Sequence, residues 1–426
     1  MKIIIIGAGL GGLTAAFCFA RKGHEVNVLE QRKTLSPQGS GLNIRPGASR
    51  ILHSWGLEEE LHAISDSTPN VLLRDLESGE IAMRSVLKNG SDVPDWGTHR
   101  TDLIELLWRK AVEVGADILF ERSVQTVKDD VLEPSVVLAD GTIFKADVIL
   151  AADGIRSKTR DQVFGTDIVP DVSDVTCYGF KLSAEQLSSD PETAKRLTDN
   201  AAINVWMGRN TFVVGRWNET LRLWGGLFGI QGESNSEQKG LWDENGDIVW
   251  LREWYRKNGI CQELMAALNM VDKCDRWRLA EIPNLQQWSS ISGRIVLLGD
   301  SAHAMQPNAA QGYSLIVEDI GVLELLINRA GSQASNQISD IVRVWEALRK
   351  PRVERIKEYA KWNTAMYVGA PVAPKSQIGK SVVKDLNHVK PNMYASFHSS
   401  AFVKWTLDYD AVEEAQNYLG GNKARL

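Results

Sequence analysis

The stretch Met1-Lys2-Ile3-Ile4-Ile5-Ile6-Gly7-Ala8-Gly9-Leu10-Gly11-Gly12 decides how this 426-residue chain folds. Ile3 to Ile6 form a short apolar run with the character of a strand buried on both faces. Gly7, Gly9 and Gly12 fit G-x-G-x-x-G, and Leu10 to Arg21 have helical character. Val26 to Leu29 form a second apolar run, closed by Glu30 eighteen residues after Gly12. Each part has a physical task. Gly7 permits a tight turn, Gly9 lets the backbone approach a pyrophosphate, and Gly12 lets helix and strand pack closely. The helix N-terminus, with Leu10 and Gly11 in its first turn, offers free N–H groups and partial positive charge to phosphates. A carboxylate at Glu30 is placed to accept hydrogen bonds from ribose hydroxyls. The combination predicts a Rossmann-like α/β dinucleotide site. It does not by itself separate NAD from FAD.

Composition narrows the class. The length predicts two or three domains. Hydrophobic content of 43% and charged content of 24% are ordinary for a globular protein. A net charge of −6 argues against nucleic acid or an anionic membrane as partner. Cys18, Cys177, Cys261 and Cys274 form no C-x-x-C pair and read as reduced, inert thiols of a cytoplasmic protein. The histidines show no metal-ligand spacing; Asp300 and His303 are three apart, but nothing nearby completes a site, so no metal is expected. No apolar run reaches the roughly 18 residues of a membrane span. A cleaved leader is not expected, because its removal would take the first strand with it.

Outside the fingerprint, the chain alternates between two textures. A loop punctuated by Pro37, Gly39 and Gly41 precedes a helix over Gly47 to Gly56. Val71 to Met83 alternate around Glu77-Ser78-Gly79 as a hairpin. Thr101 to Val114 read as an amphipathic helix capped by Thr101 and ended by Gly115. Short strands follow up to Asp147–Ala152, which ends in Asp153-Gly154. Residues 170 to 280 hold strand-like runs, and eight of the fourteen tryptophans lie between Trp206 and Trp288. These rings could wall a pocket for a flat substrate or simply pack a sheet against helices. Arg294 to Leu298 form a further buried strand ending in Gly299-Asp300, and Gly312 to Arg329 a long helix. Ile341 to Lys350 read as a helix stopped by Pro351, before a tail rich in proline and glycine (Gly369, Pro371, Pro374, Gly379, Pro391). The expected division is a nucleotide domain in three parts (1–70, 99–168, 281–360), an inserted mixed-sheet substrate domain in two (71–98, 169–280), and a C-terminal helical cover (361–426).

Three more motifs occur in order. They are Thr98-His99-Arg100-Thr101-Asp102-Leu103, then Ala151-Ala152-Asp153-Gly154-Ile155-Arg156-Ser157, then Gly299-Asp300-Ser301-Ala302-His303 running through Pro307 to Gly312. Together with the fingerprint, this set resembles the single-component FAD-dependent aromatic hydroxylases, the family of p-hydroxybenzoate and salicylate hydroxylases. Trp405-Thr406-Leu407-Asp408-Tyr409-Asp410 looks more specifically like the salicylate-hydroxylase branch. No second G-x-G-x-x-G follows a strand, as a separate NAD(P) domain would carry, and the Trp-x-Trp-x-Ile-Pro signature of flavin halogenases is missing.

The resemblance implies a set of site residues and a reaction. Gly7, Gly9, Leu10, Gly11, Gly12, Glu30, Gly41, Arg100, Asp153, Asp300, Pro307 and Gly312 would hold FAD. Asp300 would accept from the ribityl chain, and the helix starting at Gly312 would face the flavin pyrimidine edge, where its dipole stabilises an anionic reduced ring. NADH or NADPH would reduce FAD, and O2 would form a C4a-hydroperoxide that hydroxylates a small phenol or aromatic acid; the alternatives are a flavoprotein oxidase or dehydrogenase without oxygen insertion, and a non-catalytic FAD-binding sensor. Arg156 and Arg160 are candidates for the pyridine-nucleotide phosphates. Two departures stand out. The flavin loop reads Ala310-Gln311-Gly312 where the family commonly has Gly-Gln-Gly. Some branches use an arginine and a tyrosine in the substrate domain; here Tyr178-Gly179-Phe180-Lys181 offers Lys181, and Phe212-Val213-Val214-Gly215-Arg216-Trp217 offers no tyrosine. A solvated strand-end lysine is the first reading of Lys181; as a point charge it is also the candidate to hold a phenolate or carboxylate, with Tyr178 a second, weaker candidate. His303 sits beside Asp300 but is expected to pack structurally.

Overall fold

The structure is a computed structural model that describes residues 1–36, 39–67, 70–88, 93–198, 202–232, 242–369 and 380–421. Pro37, Pro371, Pro374 and Gly379 lie outside the described residues. The apolar run at the N-terminus becomes the central strand, Lys2–Ile6, of a five-stranded parallel sheet. Its neighbours are Glu25–Leu29 and Val148–Ala151, with Asp117–Leu119 and Ile295–Leu297 at the edges. Both faces are covered, which is why the run does not alternate. Ile3 and Ile5 join the core beneath the helices Leu10–Ala20, Arg100–Glu113 and Gly312–Ala330. Ile4 and Ile6 meet Val136, Leu138 and Ile149 on the other side, under a three-stranded antiparallel sheet. This is the Rossmann-like α/β half.

A nine-stranded mixed sheet forms the second half. Its strand order is Trp242–Gly246, Cys274–Glu281, Asp171–Ser183, Leu223–Gln231, Thr211–Asn218, Ala202–Gly208, Asn70–Asp75, Ile81–Lys88, Lys380–Asp385. The hairpin at Glu77 to Gly79 joins two of these strands antiparallel. The C-terminal stretch therefore contributes a strand, Lys380–Asp385, as well as helices. One face of the sheet carries Tyr178, Trp206, Trp224 and Phe228 into a core shared with the helices Ile248–Asn258 and Gln262–Asn269. Most of the tryptophans in this region serve that core, whereas Trp277 lines the cavity described below.

Two boundaries differ from the expectations. Thr101 does not cap its helix. The N-cap is His99, without a side-chain cap, and Thr101 Oγ1 instead donates to Asp102. Pro351 does not stop its helix, which runs unbroken over Ile338–Gly369. Proline costs one backbone hydrogen bond there, but the residues flanking it are locked from both sides. Arg349 Nε donates to Asp319 Oδ1 at 2.7 Å, and Arg352 Nε to Glu318 Oε2 at 2.8 Å, all four residues being buried. Arg352 also lies 3.9 Å from the centroid of the Tyr409 ring. This network fastens the C-terminal helices to the helix Gly312–Ala330.

Candidate active site

At the fingerprint, the backbone makes the site. Gly7 has φ +99°, and a Cβ there would lie 2.6 Å from Ala152 O. A Cβ on Gly12 would lie 1.9 Å from Gly7 O, so the helix can touch the turn only without a side chain. Gly9 is the N-cap and faces open space, with no side chain capping the helix it starts. Leu10 is buried, and Gly11 packs near Ile316 and Ala152. Glu30 reaches back across the turn: its carboxylate accepts from Ala8 N and Arg32 N, both at 2.8 Å.

The other sequence candidates gather around this turn. Asp153 follows the strand next to Gly7, and its carboxylate accepts from Ser157 Oγ at 2.6 Å and Thr159 N at 3.1 Å. Asp300 is exposed at the first turn after Gly299, close enough to Arg100 to oppose the downward push that burial exerts on that guanidinium. Arg100 starts its helix under Gly39, whose Cβ would collide with the arginine side chain. Pro307 opens a short 3-10 turn ending at Ala310, which adopts the left-handed conformation (φ +50°, ψ +39°). Gly312 then begins a helix whose start faces open space. His303 is buried and bonded to Asp319 at 2.7 Å, its ring tilted at 45° to that of Trp288, which is the structural role expected of it. Arg160 turns inward instead, bonding the carbonyls of Ser301, Ile155 and Ile168, because its helix face packs against the sheet; it is 1% exposed and not available to a second nucleotide. Arg156 is exposed. All four cysteines are free and buried.

A cavity of about 440 Å³ lies between the nine-stranded sheet and a small ribbon made of Gly41–Ile44, Trp96–His99 and Asp66–Ser67. The ribbon also touches the nucleotide half: Arg45 N donates to Ser314 Oγ at 2.9 Å, and its guanidinium bonds Asp95 at 2.5 Å and Ala310 O at 3.2 Å. Gly41 lies on the cavity wall. The sheet floor has two rows in register. Gly179, Leu227 and Val214 form an apolar row, beside Trp277. Lys181, Gly225 and Arg216 form the second, one pleat along.

Lys181 is 29% exposed at this wall, not a solvated strand end. Its Nζ donates to Thr101 Oγ1 at 2.8 Å, and burial lowers its pKa against the pull of Asp102 and Asp275. Tyr178 points the other way, into the core. Arg216 is the residue that sequence reasoning missed. It lies in the segment where the resemblance implied a tyrosine, is 14% exposed, and pairs with Asp66 through Nη2 alone among the described residues. Nε and Nη1 are buried without a partner among the described residues. A Cβ on Gly97 would sit 1.1 Å from Nη1, so Gly97 is the gap the guanidinium fills. Period-two alternation of Val214 and Arg216 was the available signal. Asn43 Nδ2 on the ribbon and Gln306 Oε1 before Pro307 are likewise buried and unpaired among the described residues. A protein rarely leaves such groups unmatched unless a ligand meets them. Open helix starts at Gly9 and Gly312, with unpaired polar atoms on Asn43, Arg216 and Gln306, fit a bound flavin dinucleotide.

Residues 1–356 match the family model described as FAD binding domain. The chain belongs to that family. FAD is accordingly its cofactor, and the fold is that of the aromatic hydroxylases. It is 27% identical to the FAD-dependent monooxygenase OpS4 of Beauveria bassiana, across 99% of this chain and 98% of that one. It is 27% identical to 6-hydroxynicotinate 3-monooxygenase of Pseudomonas fluorescens, across 85% and 91%. Among solved structures, CtdE with FAD and substrate superposes with TM-score 0.83 at 21% identity, covering 99% of this chain and 98% of that one. A salicylate hydroxylase substrate complex gives 0.74 at 18%, covering 98% and 97%. No helix among the described residues is long and apolar enough to cross a membrane.

Proposed function

We propose that this FAD-dependent monooxygenase uses NADH or NADPH and O2 to hydroxylate a small aromatic substrate bearing an acidic oxygen. The carrying observation is the two-row floor of the cavity. A flat ring fits over Gly179, Leu227 and Val214, and its acidic oxygen falls toward Lys181 and Arg216. Bound FAD supplies the activation of oxygen and the transfer of reducing equivalents. The chain supplies the rest. Gly7 to Gly12 and the helix start behind them would take the pyrophosphate, Glu30 the ribose, Arg100 and Asp300 the ribityl region, and Pro307 to Gly312 the ring edge. Asp153 would brace the turn beside Gly7. Lys181 and Arg216 would orient the substrate, and the ribbon would close water out.

The test is a visible spectrum of the purified protein, then NADH and NADPH oxidation under 18-O2 with phenols and aromatic acids. Flavin bands, oxidation stimulated by one ring compound and 18-O in its product are expected. Stimulated oxidation without label in the product would mean an oxidase, and a yellow protein unresponsive to every aromatic would overturn the substrate class.

A further inference from the structure

The cationic row has a neutral member above it. His99 ends the strand Trp96–His99, and its imidazole sits over Gly225, where a Cβ would lie 2.8 Å from His99 Cε1. Gly225 pairs directly with Lys181 on one side and Arg216 on the other. The backbones carrying the two cations thus lie one strand spacing, about 4.8 Å, to either side of the glycine beneath the ring. His99 lines the cavity and is only 3% exposed, yet its Nδ1 has no hydrogen-bond partner among the described residues. A histidine kept only for packing would be bonded in such a place.

We propose that His99 accepts, at Nδ1, the proton of a ring hydroxyl bound in the cavity, and that Lys181 and Arg216 hold the oxyanion left behind. This rests on the aromatic-substrate reading above. The phenol O–H bond breaks, an Nδ1–H bond forms, and the electron pair stays on oxygen; nothing is oxidised or reduced in this step. The phenolate ring is richer in electrons than the phenol, which favours attack on an electrophilic oxygen. Burial and then Lys181 push His99 down to about 4, with Arg216 acting the same way and Asp102 against them. The imidazole therefore stands neutral, with a lone pair to offer. Once the proton moves, the new anion offsets the added positive charge. Both cations have donors to spare among the described residues: Lys181 Nζ has one hydrogen bond, to Thr101, and Arg216 keeps Nε and Nη1.

The test uses holoenzyme and a set of nitrophenols, whose phenolates absorb visibly, read as difference spectra below each phenol's own ionisation. Wild type should bind a nitrophenol and ionise it. His99→Gln should still bind it, with the apparent ionisation constant of the bound phenol reduced about tenfold or more, one pKa unit. Should His99→Gln fail to fold, Gly225→Ala displaces the same imidazole from another strand and should give the same loss. Equal ionisation in wild type and variant would overturn the role of His99 while leaving the substrate class standing. Failure of wild type to bind any nitrophenol would overturn the substrate class and this inference with it.

Discussion

At the turn from Gly7 to Gly12, geometry is fixed by backbone meeting backbone: a carbonyl 1.9 Å from where a Cβ would be, and a helix start left open. At the cavity, geometry is fixed by side chains carried on strands far apart in sequence: His99 over Gly225, Arg216 against Gly97, Lys181 on Thr101. On the reading proposed above, the first region takes what every FAD shares, its phosphates and ribose, chiefly through N–H groups and absent side chains, with the Glu30 carboxylate at the ribose. On the same reading the second has to distinguish one ring from another, which takes placed charges. The difference teaches where change is tolerated. A contact made by backbone has no adjustable part. A contact made by the end of a long side chain can move and be re-made, and there the cost falls on the substrate and not on the fold.

The largest effect should separate the two regions most sharply. Gly12→Ala drives a methyl into Gly7 O, which cannot move without disrupting the first strand. Complete loss of bound FAD and destabilisation of about 3 kcal/mol are expected, read from flavin absorbance and urea unfolding. Retention of FAD would mean that the helix can shift, and the distinction between rigid and adjustable contacts would fail at its firmest point.

The pH dependence reports on the cavity instead. His99 is lowered from 6.5 to about 4, so the unfolded chain binds a proton that the folded chain refuses. Stability from this source is complete above about 6.5 and is lost as pH falls toward 4, by about 3 kcal/mol at most. His24 and His53 are lowered too, chiefly by burial, so the comparison is between wild type and His99→Gln. The variant should lose less stability between pH 7 and 4 in urea titrations. Identical slopes would show that the imidazole is not sealed between its cations.

Much of the nucleotide half was legible because its signal is contiguous. Ile3 to Glu30 place strand, turn, helix and acid in one stretch, and the same physics that selects those residues builds the parallel sheet. The cavity was not, because what matters is register. That Lys181, Gly225 and Arg216 form one row depends on the pairing of three strands from two hairpins and a crossover, which no local pattern specifies. His99 stood in plain view beside Arg100, but only Gly225, more than a hundred residues on, reveals why it is there. Thr101 and Pro351 misled for a related reason. Local rules for caps and helix stops yielded to the contacts of Lys181 and of Arg349 and Arg352.

Gly97→Ala tests the adjustable side of the comparison. The new methyl occupies the place of Arg216 Nη1, the far end of a flexible chain. The guanidinium should swing away, FAD content and unfolding should stay near wild type, and affinity for an acidic aromatic should weaken about tenfold, the loss of one charged hydrogen bond. A fall in FAD content would show that the ribbon, through Arg45 and Ala310, joins the two regions more tightly than their separate chemistry implies.

The smallest effect lies at Ala310, where the backbone region carries a residue that its own logic disfavours. Its left-handed conformation costs a non-glycine residue about 1–2 kcal/mol. The carbonyl is held by Arg45, so the conformation is imposed from outside and would persist without the methyl. Ala310→Gly relieves the strain but frees the unfolded chain, which returns part of the gain. A net stabilisation of about 0.5–1 kcal/mol is expected in thermal unfolding, with FAD affinity equal or higher. Destabilisation instead would mean that the methyl makes contacts worth more than the strain. The flavin loop would then belong with the side-chain region, and the line between the two would run through Pro307 to Gly312 and not through the ribbon.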